Sequence, residues 1–174
     1  KGIKATPLQM AAFASTLANG GTLYYLQYAR NKEELAKFKP RIKRRLLISK
    51  HLPHLKTAMA ATVLYGTGSS AYDPNHIIYG KTGTCREGRT WLGWFVSFSG
   101  GYSDGHLPRY AVVVFLRRVG RRVTGPQAAR ISGKIYRQLY ERDLKSRKLS
   151  AAQSEAGGET VQAGFSPLST KNGN

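Results

Sequence analysis

Apolar residues recur at helical spacing in three stretches, and β-branched and aromatic runs fill the interval between the second and third. Met10, Phe13, Ala14 and Leu17 share one face of a first helix. Its start is written in Thr6-Pro7-Leu8-Gln9: a capping threonine, proline at the first helical position, and a glutamine placed to close a capping box. Asn19-Gly20-Gly21 stops it. Residues 22–28 predict a short strand, 30–39 a charged surface excursion and 42–49 a returning strand. Leu55, Met59 and Val63 define a second helix over 52–65, ended by Gly66-Thr67-Gly68. Residues 77–84, 91–98 and 110–118 predict three successive strands, the last two joined across the Gly-rich loop 99–108 as an antiparallel hairpin. Gly125-Pro126 opens a third helix with Ile131, Ile135 and Leu139 on one face. From residue 149 the composition turns to Ser, Gly, Ala, Gln and Asn, which predicts a disordered polar tail over 149–174 after one domain over 1–148.

Composition narrows this picture in two ways. The 174 residues suffice for one domain with a real core, and the single cysteine, Cys85, excludes an internal disulfide. Twenty-eight Lys and Arg against nine Asp and Glu leave a net charge of +19, a field that draws polyanions: nucleic acid, anionic lipid or acidic wall polymers. No apolar run approaches the ~20 residues of a membrane helix, and no signal peptide is visible. Residue 1 is Lys in mid-pattern, so the chain reads as a fragment or a processed piece.

The chemistry gathers at Tyr79-Gly80-Lys81-Thr82-Gly83-Thr84, at one strand end. A cation, two hydroxyls and an unhindered backbone suit the holding of a carboxylate beside a carbonyl under attack. Taken alone, Lys-Thr-Gly-Thr arises often by chance and usually marks a turn. Here it stands fourth in a series: Ala5-Thr6-Pro7-Leu8-Gln9-Met10-Ala11, Asn19-Gly20-Gly21, Gly66-Thr67-Gly68, Gly80 to Thr84, then Trp94-Phe95. Five ordered landmarks are far more specific than one.

In that order the chain resembles the C-terminal half of penicillin-binding protein transpeptidase domains over residues 2–143. The short segment between Thr84 and Trp91 looks like the class B enzymes. The resemblance implies an α+β fold of the penicillin-binding and serine β-lactamase type: an antiparallel sheet flanked by helices, with the N-terminal half of the domain absent. It implies a peptidoglycan D,D-transpeptidase, in which Lys81 supports proton transfer and the substrate's negative charge. Thr82 and Thr84 would offer hydroxyls to a terminal carboxylate, Gly83 would let the substrate lie against the strand, and the Thr84 backbone N–H would supply an oxyanion donor. Stem peptides and β-lactams are then the expected partners, no cofactor or metal is expected, and the parent protein would be extracytoplasmic and membrane-anchored through upstream sequence. A D,D-carboxypeptidase, a β-lactamase or a β-lactam sensor is the close variant.

The departure from the family pattern is equally clear. Neither Ser-x-x-Lys nor Ser-x-Asn occurs in these residues, and Ser49-Lys50 is adjacent rather than a helical turn apart. A serine nucleophile needs a neighbouring base, so one wall of an active site is present without its nucleophile. The sheet would keep an unpaired edge and uncovered apolar faces, which predicts poor solubility or partial order. Cys85 lacks a base partner, and His51, His54, His76 and His106 lack metal-ligand spacing and read as surface or loop residues. Arg86 and Arg89 read as solvated loop charges or as contacts to an anionic stem peptide, and Arg117, Arg118, Arg121 and Arg122 around Gly120 as a solubilising turn or an approach to an anionic membrane or wall polymer. The competing class is a basic nucleic-acid- or polyanion-binding module, against which stands the absence of any helix-turn-helix, RNA-recognition or zinc-finger pattern. The 174-residue chain is predicted to form no covalent adduct with a fluorescent penicillin; a labelled band on a denaturing gel would overturn this.

Overall fold

The computed structural model describes residues 4–102 and 110–158. The chain divides into two compact units, Lys1–Gln138 and Leu139–Asn174.

The first helix, α1 (Pro7–Ala18), begins as the sequence predicts. Thr6 Oγ1 accepts the Gln9 N–H at 3.2 Å, and Gln9 Oε1 accepts the Thr6 N–H at 2.9 Å. A two-stranded antiparallel hairpin follows, β1 (Thr22–Tyr24) with β2 (Ile42–Arg45), and a short helix, α2 (Lys32–Ala36), lies between its arms. The first arm is shorter as a strand than residues 22–28. The pairing slips between Leu23 and Tyr24, although the Tyr25 N–H still donates to the Arg41 carbonyl at 2.8 Å. The charged excursion is helical because Asn31 caps Glu34 at its N-terminus.

Helix α3 (Leu52–Leu64) leads through Gly66-Thr67-Gly68 into a sheet of β3 (His76–Glu87), β4 (Thr90–Tyr102) and β5 (Ala111–Val119), in the order β3-β4-β5 and antiparallel throughout. Both β3 and β4 run further than 77–84 and 91–98, meeting in a tight turn at Gly88-Arg89. Residues 99–102, read as loop, are strand; 103–109 lie outside the described residues. Helix α4 (Gly125–Gly158) closes the order. It continues ten residues past 148, and the remainder of the expected tail, 159–174, lies outside the described residues.

Within the first unit the sheet carries a packed layer on each face. On one side Ile78, Phe95 and Val114 meet Ala128, Ala129 and Tyr136 of α4. On the other, Val96 and Phe98 meet Ala14 and Leu17 of α1 and Leu52 and Met59 of α3. Alternation along each strand sorts side chains between the two layers. Gly80 is required by this packing, since a Cβ there would stand 2.2 Å from the Phe95 ring. The second unit is the remainder of α4, on which Arg142 pairs with Asp143 at 2.9 Å. Among the described residues no helix is long and apolar enough to cross a membrane.

His76 corrects the sequence reading: it is buried at the start of β3, with Nδ1 3.5 Å from Asp73 Oδ1 and its ring 5.2 Å from that of Tyr136. Asp73 also faces Arg137 of α4 at 4.0 Å. Tyr136 shares a hydrogen bond with Ser97 at 3.1 Å, and Ser97 donates to the Val112 carbonyl. Burial pushes the Tyr136 phenol well above the ordinary value near 10, and the Ser97 hydrogen bond offsets this in part.

Two outcomes follow. Phe95→Ala empties the centre of the α4-side layer and is expected to cost about 3–5 kcal/mol, read in the complete domain as a lower urea midpoint by tryptophan fluorescence. Above pH ~10 the unfolded chain releases the Tyr136 proton while the folded chain holds it. Stability contributed by that group is therefore present below this pH and lost above it. Tyr136→Phe should flatten that alkaline decline in the urea midpoint.

Candidate active site

Lys81 to Thr84 lie on β3, an edge strand of the β3-β4-β5 sheet among the described residues. Lys81 stands opposite Val96, Thr82 opposite Phe95, Gly83 opposite Trp94 and Thr84 opposite Gly93. Because the strand alternates, Lys81 and Gly83 belong to the α1/α3 face, while Thr82 and Thr84 belong to the α4 face. The tetrapeptide thus presents a cation on one side of the edge and two hydroxyls on the other.

Each side chain is held differently. The Lys81 ammonium donates to the Thr82 carbonyl at 2.8 Å, and no carboxylate among the described residues pairs with it. Its positive charge is left uncompensated at the strand edge. The Thr82 hydroxyl is hydrogen-bonded to that of Thr67, from the Gly66-Thr67-Gly68 segment that follows α3. Thr84 Oγ1 accepts the Gly125 N–H at 2.9 Å, at the first residue of α4. That bond occupies an acceptor position on Thr84 and leaves its proton to be donated elsewhere. The positive end of α4 therefore abuts the strand where Thr82, Gly83 and Thr84 lie, and favours negative charge there.

Two glycines mark what this packing does and does not dictate. A Cβ on Gly125 would stand 2.7 Å from Thr82 Cβ and 2.9 Å from the Gly83 nitrogen, so close approach of helix to strand demands glycine. A Cβ on Gly83 would meet only Trp94 Cβ, at 3.4 Å. Internal packing leaves the face of Gly83 open. That face borders a groove of about 630 Å³, walled by Met10, Phe13, Leu55, Met59 and Trp94 and edged by Lys81.

Around the motif the charges are mainly basic. Lys56 of α3 places its ammonium 5.8 Å from the Tyr79 ring centroid, and Arg86 and Arg122 both lie 5.5 Å from that of Trp91. Arg86 also donates to the Gly88 carbonyl at 2.7 Å. Cys85 is exposed, on the same strand face as Lys81 and Gly83. His51 and His54 are exposed, and His106 lies outside the described residues. No group of three metal-ligating side chains occurs among the described residues. Sequence reasoning missed two partners of the site, Thr67 and Gly125. Both sit inside segments noted as helix stop and helix start, but nothing in linear order says that these ends meet on β3.

A stretch of 93 residues is 30% identical to Stage V sporulation protein D of Bacillus subtilis (strain 168), covering 50% of this chain and 14% of that protein. Among solved structures, the D,D-transpeptidase domain of a peptidoglycan glycosyltransferase from Eggerthella lenta superposes with a TM-score of 0.60 at 20% identity, over 82% of this chain and 34% of that one. A peptidoglycan glycosyltransferase from Burkholderia ambifaria gives 0.55 at 20% identity, over 78% and 41%. The two structures share the fold, and this chain spans well under half the length of each of the three relatives. The family profile described as the penicillin binding protein transpeptidase domain matches residues 1–141. The chain belongs to the penicillin-binding protein transpeptidase family.

Proposed function

We propose that this chain forms one wall of the acylation groove of a peptidoglycan D,D-transpeptidase of class B type, with residues 1–148 as the C-terminal part of that domain. The serine nucleophile and its base come from polypeptide beyond these 174 residues. The observation that carries the reading is the open face of Gly83 on an edge strand, between the unpaired Lys81 ammonium and the groove.

The roles follow from that placement. An extended stem peptide, or a β-lactam in its place, lies along β3 where no side chain intervenes. Lys81 attracts the substrate's negative charge and assists proton transfer in a partly dry cleft. The Thr82 hydroxyl, backed by Thr67, and the Thr84 proton, with its oxygen engaged by Gly125, hold the terminal carboxylate. In an antiparallel edge strand alternate residues turn both N–H and C=O away from the partner strand. The Lys81 ammonium reaches the Thr82 carbonyl, which suits an outward orientation there. By the same two-residue phase the Thr84 N–H points outward, as an oxyanion donor requires. The substrates place this chemistry outside the cytoplasm, and the parent is membrane-anchored through other sequence.

The reading frame upstream of Lys1 is expected to encode Ser-x-x-Lys followed by Ser-x-Asn, and the longer product to acquire one penicilloyl group on that serine. In it, Lys81→Ala should slow acylation by about 10²-fold or more, in the range found when a positioned charge is removed from an active site. Thr84→Val should weaken acylation more than Thr84→Ser does. The reading fails if the longer product, with both motifs intact, takes no label, or if Lys81→Ala acylates at the wild-type rate by stopped-flow.

A further inference from the structure

The sheet and its motif leave one prominent feature unused: the β1–β2 hairpin with α2 at its tip. Between residues 30 and 50 lie nine lysines and arginines against two glutamates. Arg41, Lys43, Arg44 and Arg45 run together in the sequence and lie on one arm of the hairpin, all exposed. They do not stand alone. Arg41 and Lys43 lie 5.2 and 5.7 Å from the ring centroid of Tyr25 on the opposite arm. Large apolar side chains project between and beyond them. Leu47 is 94% exposed, Tyr28 86% and Leu26 55%, with Ile42 and Leu35 also uncovered.

Each component has an ordinary explanation alone, but their combination has a specific chemistry. A solubilising surface has no use for bare leucines among its arginines. A site for a soluble polyanion would gain from the charges but nothing from aliphatic tips, and leucines offer no stacking face to nucleobases. Basic residues interleaved with tyrosine and leucine on one projecting element match the interface of an anionic bilayer. There the charges meet headgroups, the tyrosines sit at headgroup depth and the aliphatic tips enter the acyl boundary. A two-stranded ribbon is marginal by itself; between this one and α1 lies a groove lined by Gln9, Phe13 and Thr16 of the helix and by Leu23, Tyr25, Leu26, Lys43 and Leu46 of the hairpin, so those five residues border the groove while Leu47, Tyr28 and Arg44 lie outside it. The rest of the hairpin faces solvent.

We infer that the β1–β2 hairpin is a docking surface for an anionic phospholipid bilayer. This surface adds to the transpeptidase assignment and rests on the hairpin staying uncovered in the complete domain. It lies on other elements than Lys81 to Thr84, and its test does not involve acylation.

The test is flotation of the complete transpeptidase domain, free of any membrane-spanning segment, with vesicles of phosphatidylglycerol and phosphatidylcholine, with pure phosphatidylcholine vesicles and heparin as comparators. Binding is expected to the mixed vesicles and not to the neutral ones, and to fall as salt is raised. Lys43→Glu with Arg44→Glu should lower it by more than about ten-fold. Leu47→Ser with Tyr28→Ser should lower vesicle binding by about ten-fold while leaving heparin binding unchanged. The altered side chains are exposed, so far-ultraviolet circular dichroism should be the same for all variants. Arg117→Glu with Arg118→Glu, the same charge change on β5, should have little effect. The inference is overturned by absence of binding to the mixed vesicles, by equal loss in the β5 variant, or by an apolar variant that binds vesicles as well as the parent. The last outcome would instead mark a site for soluble polyanions.

Discussion

The register between β3 and β4 is the constraint on which the site depends. With Lys81 opposite Val96 and Thr82 opposite Phe95, the cation falls on the groove face and the hydroxyls on the α4 face. Side chains alternate with a period of two, so a slip of one residue would exchange them. Phe95 guards against the slip. Its ring fills the space a Cβ would need on Gly80, and it is fully buried in the layer that α4 covers. Core packing and the geometry of the Lys81–Thr84 motif are therefore set by the same contact.

A second junction depends on the first. The start of α4 meets β3 without a Cβ at Gly125, and the Gly125 N–H binds Thr84. From the other end of the fold, Thr67 reaches Thr82 after α3 has ended. One strand edge thus gathers the end of one helix and the beginning of another, and each contributes a polar contact to the motif. The groove alongside is mainly apolar on its other wall, where Thr62 of α3 is the polar exception, so its charge is confined to Lys81 on the β3 border.

Much of this was legible in the chain. The capping box at Thr6 and Gln9 is a local device, and it forms as written. The three strands announced themselves by β-branched and aromatic runs, and their antiparallel order followed from short connections. What stayed hidden was non-local. His76, polar and beside a Pro-Asn turn, reads as surface, but the fold buries it against Asp73 and Tyr136. The Thr67–Thr82 and Thr84–Gly125 contacts join residues 15 and 41 positions apart, which no periodicity reports. The charged segment 30–39 looked formless because its helix is five residues long and rests on a cap at Asn31 rather than on an apolar stripe. What the folding of the two arms adds to the contiguous basic run 41–45 is the Tyr25 ring beside Arg41 and Lys43. The landmarks that carried the family resemblance did so by their order, which survives whether or not their contacts can be foreseen.

Cys85 gives the molecule an unplanned convenience. It is the only thiol in the chain, it is exposed, and it follows Thr84 on the strand face that borders the groove. A maleimide dye or spin label attached there would sit beside the motif without competing attachment points. Occupancy of the cleft could then be followed by emission or line shape in real time, with no engineered cysteine and no radioactive ligand.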